Sequence, residues 1–226
     1  RFALLNDIRR LDGAAFPLMV ERFALLAEPP GAALPRPLPT PHLAVDPSHV
    51  RATLERLGLA ADRDPVAFCP GAEYGPAKRW PVHHFARLAQ WLAARGHAVW
   101  LLGSSRDAAI GAAIAAASPA RNLCGHTTLD EAVDVLASAR AVVTNDSGLM
   151  HVAAAVGTPL VALYGSSSPG FTPPLSPVAR ILSLGLPCSP CFQRTCPLGH
   201  LDCLEKLLPE SVREALDALP LPARNT

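Results

Sequence analysis

From Asp64 onward the chain alternates short apolar runs with longer stretches of mixed polarity. The runs Val66–Cys69, Ala98–Leu102, Ala141–Thr144 and Leu160–Tyr164 are apolar on both faces and end at Gly, Pro or Asn. That is the pattern of a strand buried on both sides in a parallel sheet. Between the runs, apolar residues recur at helical spacing over Val82–Arg95, Asp107–Ala117, Leu129–Ser138 and Leu149–Val156. Shorter strands are expected at Asn122–Cys124 and Arg180–Leu182, and a last helix near Pro209–Ala218. Strand and helix alternating at this interval predict an α/β domain, a Rossmann-like doubly wound parallel sheet.

The upstream pattern differs. Phe16, Met19, Val20, Phe23, Leu26 and Ala27 fall three or four apart, so residues 1–28 read as helical. Pro29 to Pro47 contains seven prolines and reads as an extended linker. The chain therefore divides into residues 1–28, a Pro-rich linker with a connecting helix over 29–63, a ligand-binding domain over 64–203, and a C-terminal helix and tail over 204–226. It opens at Arg1 as if in mid-segment, and a fragment of a longer protein is expected.

Composition narrows the function. Hydrophobic residues make up 50% of the chain but aromatics only 5%, which implies a helix-rich core packed largely with alanine. A net charge of +1 offers no basic face, so nucleic acid is not an expected partner. No apolar run approaches the roughly 18 residues that a membrane span needs. Six cysteines are too few for a disulfide scaffold in a chain of this length.

In a doubly wound sheet, ligands bind beyond the carboxyl ends of the strands. That rule selects the loops Pro70–Pro81, Gly103–Asp107, Gly125–Thr128 and Asn145–His151. In the last of these, Ser147 and Gly148 place free backbone N–H groups at a helix N-terminus, where the helix dipole favours an anion. Asp146 stands beside them as an acceptor for hydroxyls, and His151 one turn in is a possible donor to phosphate. The competing reading is that Asp146 or Ser147 merely caps the helix. In Pro70–Pro81, Lys78 and Arg79 put two cations on a stiff loop of glycine and proline; alone they also fit a solvated surface pair. Neither a P-loop nor a Gly-x-Gly-x-x-Gly turn occurs. Two anion-binding segments without those fingerprints point to a diphosphate ligand of the nucleotide-sugar kind.

A second cluster lies downstream. Cys188, Cys191, Cys196 and Cys203, with His200 among them, are ligand types for tetrahedral zinc, although only the Cys-x2-Cys half has regular spacing. An iron–sulfur cluster would depart from both ferredoxin spacings. Packed reduced thiols or a single disulfide remain open beside a structural zinc.

The segments Pro70–Pro81, Asn145–His151 and Leu160–Ser166 resemble the ADP-heptose:lipopolysaccharide heptosyltransferase family. The Cys188–His200 tail with Cys203, and the Leu4–Asp12 segment, resemble its heptosyltransferase II branch. The resemblance implies a GT-B fold truncated at its N-terminus, with residues 1–28 a remnant of the acceptor-side domain. It implies inverting, metal-independent transfer of heptose from an ADP-heptose donor to a lipid A-core acceptor, heptosyl-Kdo2-lipid A. The site would be cytoplasmic, at the inner-membrane surface, with no cofactor required. By the same resemblance Lys78 contacts the diphosphate and sugar, Ser147 and Gly148 hold phosphate, Asp146 binds heptose hydroxyls, and His151 lines the phosphate end. Glu73 and Tyr74 replace small hydroxyl residues, and Ser105 and Thr127 face ribose and adenine. The general base belongs to the N-terminal domain, and neither Asp7 nor Asp12 lies in the right segment to be it. These 226 residues are thus expected to bind donor weakly at best and not to turn over. Two alternatives stay open: a GT-B transferase using another nucleotide-sugar, and a non-catalytic nucleotide- or metal-binding module.

Overall fold

The computed structural model describes residues 7–220. Of the heptosyltransferase-like segment Leu4–Asp12, residues 4–6 lie outside the described part, as do residues 221–226 of the tail. Two compact units are present, residues 1–39 with 168–173, and residues 40–167 with 174–226. In the smaller unit the helix of the upstream pattern runs over Met19–Ala27 (α1). The Glu21 carboxylate accepts the Leu18 N–H at its start and pairs with Arg36 at 2.6 Å. Phe23 and Leu26 are exposed on this helix, 65% and 63% respectively, so its apolar stripe is not covered by the described residues.

The larger unit is built on a six-stranded, all-parallel sheet. Its strands are β1 (Val66–Cys69), β2 (Val99–Leu101), β3 (Arg121–Asn122), β4 (Ala141–Asn145), β5 (Leu160–Leu163) and β6 (Ala179–Leu182). Their spatial order, β3-β2-β1-β4-β5-β6, is that of a Rossmann sheet. The helices are α2 (Pro47–Leu57), α3 (Val82–Ala94), α4 (Ala108–Ala116), α5 (Leu129–Ser138), α6 (Gly148–Ala155), α7 (Asp202–Glu205) and α8 (Pro209–Asp217).

Alternation along the central strands feeds two cores. Val66, Phe68, Val143, Val161 and Leu163 turn toward α3, α4 and α8, and meet Phe85, Leu88, Ile114 and Val212. Ala67, Val142, Leu160 and Ala162 turn toward α2, α5 and α6, and meet Leu57, Val135, Leu136 and Ala153. Every residue of β1, β4 and β5 is buried, which is why these strands read as unbroken apolar runs. The second face is also tied by polar contacts: Thr53 Oγ1 donates to Asp134 at 2.6 Å, and Thr158 Oγ1 donates to Leu136 O at 2.8 Å. Among the described residues no helix is long and apolar enough to cross a membrane.

Candidate functional site

The strand order reverses between β1 and β4, which pair in register from Val66↔Ala141 to Cys69↔Thr144. A parallel sheet opens a crevice at such a switch point, because the loops leaving the two strands run to opposite faces. Those loops are Pro70–Pro81 and Asn145–His151. The fold thus places side by side the two segments singled out for anion binding.

Asn145, at the end of β4, binds them together. Its Nδ2 donates to Pro70 O at 2.8 Å, and its Oδ1 accepts the Trp80 N–H at 3.0 Å. Trp80 is buried in the α3-side core and donates its indole N–H to Leu207 O at 2.7 Å, so it anchors the loop. With both ends fixed, a short 3-10 turn over Pro76–Lys78 aims Lys78 inward. Its Nζ lies 2.6 Å from the Asp146 carboxylate. That carboxylate is almost wholly buried, its side chain 4% exposed against 17% for Lys78. A charge so placed needs its partner, and the 68-residue separation of the two is closed only by the sheet. Arg79 instead folds back on its own loop and donates to Ala72 O at 3.3 Å.

Ser147 is the N-cap residue of α6, but among the described residues no side chain caps this helix. Asp146 is occupied by Lys78. The capping alternative is therefore not what these side chains do, and of the first turn only the Met150 N–H is bonded among the described residues, to Ser147 O at 3.2 Å. This turn faces a cavity of about 440 Å³ lined by Gly71, Glu73, Thr127, Ser147 and Gly148, within the range of ligand sites. Its far wall is apolar, formed by Leu102, Leu129, Ala132, Leu149 and Val152. Close approach of the loops makes this space: a Cβ on Gly71 would lie 2.4 Å from the Asp107 carboxylate.

Of the expected residues, Ser147, Gly148, Glu73 and Thr127 line this cavity, whereas Lys78 and Asp146 pair with each other outside its lining, Asp146 next in sequence to Ser147. His151 joins them electrostatically. Desolvation of its imidazole lowers its pKa, Asp146 opposes that shift and Lys78 adds to it. Two others sit differently. Ser105 does not line the cavity; it opens a 3-10 turn, and its neighbours Ser104 and Asp107 line the space instead. The Asp107 carboxylate accepts from Ser104 N and Oγ at 2.9 and 2.8 Å, which turns the pair inward. Tyr74 also lies outside the lining, because its hydroxyl donates to Phe192 O at 2.6 Å. Glu73 lines the cavity and pairs with the exposed Arg106. Asn145 and Asp107 are the residues that motif reasoning passed over. Asn145 carries only the signal of a polar residue at the carboxyl end of a buried run, and Asp107 only that of an acidic residue closing the loop after β2. Cys69 lines the cavity too, but burial pushes its thiol well above the ordinary cysteine range, as it does Cys124, to about 12. Burial of this kind disfavours the thiolate that a nucleophile needs.

The downstream cysteines come together as well. Cys188, Cys191, Cys196 and Cys203 line one small cavity beside Ala77, and all are free thiols.

The parallel Rossmann sheet, with its crevice at the switch point, is that of one Rossmann-like half of a glycosyltransferase of the GT-B kind. The profile of glycosyltransferase family 9 (heptosyltransferase) matches residues 1–202, and the chain belongs to that family. Among its relatives, lipopolysaccharide heptosyltransferase 2 of Escherichia coli K12 is 47% identical over 232 residues, covering 98% of this chain and 67% of the relative. Lipooligosaccharide heptosyltransferase 2 of Haemophilus influenzae is 46% identical over 198 residues, 81% of this chain and 57% of that protein. The solved structure of the E. coli ADP-heptose lps heptosyltransferase II superposes with a TM-score of 0.86 at 46% identity, over 96% of this chain and 66% of that one. The chain thus spans about two thirds of the length of these E. coli relatives.

Proposed function

We propose that this crevice binds ADP-heptose and that the whole protein transfers heptose, with inversion, to the heptosyl-Kdo2-lipid A inner core in lipopolysaccharide biosynthesis. The observation that carries the reading is the Lys78–Asp146 pair at the switch point, next to the uncapped N-terminus of α6. The diphosphate sits on the N–H groups of Ser147 and Gly148, with the helix dipole behind it. Lys78 neutralises part of its charge. Asp146 is left one residue away to accept hydroxyls of the sugar. The apolar wall of Leu102, Leu129 and Val152 receives the base, and Thr127 stands beside it. Likeness to the E. coli ADP-heptose lps heptosyltransferase II supports an adenine nucleotide carrying heptose as the donor.

The acceptor is a lipid A-core molecule met at the cytoplasmic face of the inner membrane. Deprotonating its hydroxyl needs a general base. Asp146, paired with Lys78, is assigned to the donor sugar, so we assign that base to the acceptor-side domain and donor binding to the present chain. Calorimetry tests the reading: ADP-heptose should bind this chain and UDP-glucose should bind more weakly. Equal affinity for the two would reject the donor assignment. Heptose transfer catalysed by these 226 residues alone would reject the division of labour.

A further inference from the structure

The segment from residue 183 to 201 contains neither helix nor strand, yet it brings Cys188, Cys191 and Cys196 to the lining of one cavity with Cys203 of α7, their sulfurs not yet within 4.8 Å of one another as a group. The cavity they share has a volume of about 20 Å³, room for one water-sized particle. Three local features mark the surroundings of this cavity. Cys196 opens a tight turn in which the Gly199 N–H meets Cys196 O at 3.2 Å, with Gly199 at φ +75°. Ser166 also lines the cavity; its hydroxyl is buried and without a partner among the described residues, a donor awaiting an acceptor. Leu201 takes a left-handed φ of +52° immediately before the helix that delivers Cys203, a cost that surrounding structure must offset.

We propose that Cys188, Cys191, Cys196 and Cys203 hold one zinc or ferrous ion as a tetrathiolate site whose role is structural. Four sulfurs in a tetrahedral arrangement suit either metal. The group of ligand atoms already within 4.8 Å of one another is a different one, His83, His84 and Glu205. There, however, the His84 Nε2 is taken by Glu205 O at 2.8 Å, and His83 is exposed. The four sulfurs close around the ion as it binds, which is how small metal loops form.

The site would stiffen the donor loop. Ala77, next to Lys78, lines the cysteine cavity, and its N–H donates to Arg194 O at 3.0 Å. Arg194 Nε donates to Tyr74 O at 2.7 Å, and the Tyr74 hydroxyl returns to Phe192 O. The cysteine loop and the Lys78 loop are thus laced together.

Elemental analysis of the chain, expressed with zinc and iron in the medium and purified without chelator, decides the matter. About one equivalent of zinc or iron is expected, the element found distinguishing the two. Cys196→Ser and Cys188→Ser should each lose it, whereas Cys124→Ser should keep it. Should the variants not fold, two measurements on the unmodified chain suffice. Cobalt substitution should give the absorption of a tetrahedral tetrathiolate, and four thiols should resist alkylation until a chelator is added. Less than about 0.2 equivalents of either metal, or a disulfide within the four, would overturn the proposal. These readouts are independent of whether the crevice takes ADP-heptose.

Discussion

The crevice and the cysteine loop lie side by side and are held in shape by different means. The crevice is hung from strand ends: β1 and β4 are paired along their whole length, and each loop leaves a strand whose every residue is buried. The cysteine loop has no ladder at all. It is held by isolated contacts, side-chain ones such as Tyr74 to Phe192, Arg194 to Tyr74 and Ser189 to Gly165, and single backbone bonds such as Phe192 N to Ser166 O. A sheet distributes positioning over many backbone bonds, whereas a loop concentrates it in a few. Damage to the first should therefore appear as lost global stability, and damage to the second as a local loosening felt at Lys78.

That contrast can be broken at several points. The largest effect is expected at Trp80, buried and bonded at both its N–H groups. Trp80→Ala should cost about 3–5 kcal/mol in denaturant unfolding. A loss below about 1 kcal/mol would show that the loop is not anchored through the core. Lys78→Ala should weaken ADP-heptose binding by about 1.5–3 kcal/mol in calorimetry, since it removes a charge-assisted contact. Unchanged affinity would place the diphosphate elsewhere. Asn145→Ala leaves Trp80 N–H and Pro70 O without their partner and should destabilise by about 1–3 kcal/mol, with weaker donor binding. Tyr74→Phe removes one bond from the lacing and should cost about 0.5–1.5 kcal/mol, read as faster hydrogen exchange around residues 192–196 with little change in the unfolding midpoint.

The smallest effect concerns pH. His151 has a lower pKa folded than unfolded, so the unfolded chain binds more protons in that window. Stability contributed by its neutral form is present above the ordinary histidine value of about 6.5 and is lost as pH falls through it. His151→Asn should flatten the pH dependence of the unfolding free energy between roughly pH 7 and 5, an effect kept small because the residue is exposed to solvent. His84 shifts in the same direction, through burial first, and retains its own share of the slope in that variant.

The same contrast explains what could be read from the chain alone. Val66–Cys69 and Leu129–Ser138 carry their own boundaries, an apolar run stopped by proline and an amphipathic repeat opened by Thr128, which caps α5 through Glu131 N. The rest depends on contacts made across the fold. Asp202–Glu205 is too short to show a period. The meeting of Lys78 with Asp146 needs the β1–β4 crossover. Ser105 stands next to the residues that reach the cavity, and a one-residue offset in a 3-10 turn leaves no trace in composition. The upstream helix begins at Met19, two residues after Pro17, later than an apolar pattern opening at Phe16 suggests. Proline fits a helix at its first turn, not inside it.

Asn145 fastens the loop from Pro70 to Trp80 at both ends with one amide. For anyone moving this donor grip onto another Rossmann scaffold, the transferable part is accordingly not the Pro70–Pro81 stretch by itself. It is that stretch together with the last residue of a neighbouring strand, taken from a segment 65 positions away, without which the lysine would be carried on a slack tether.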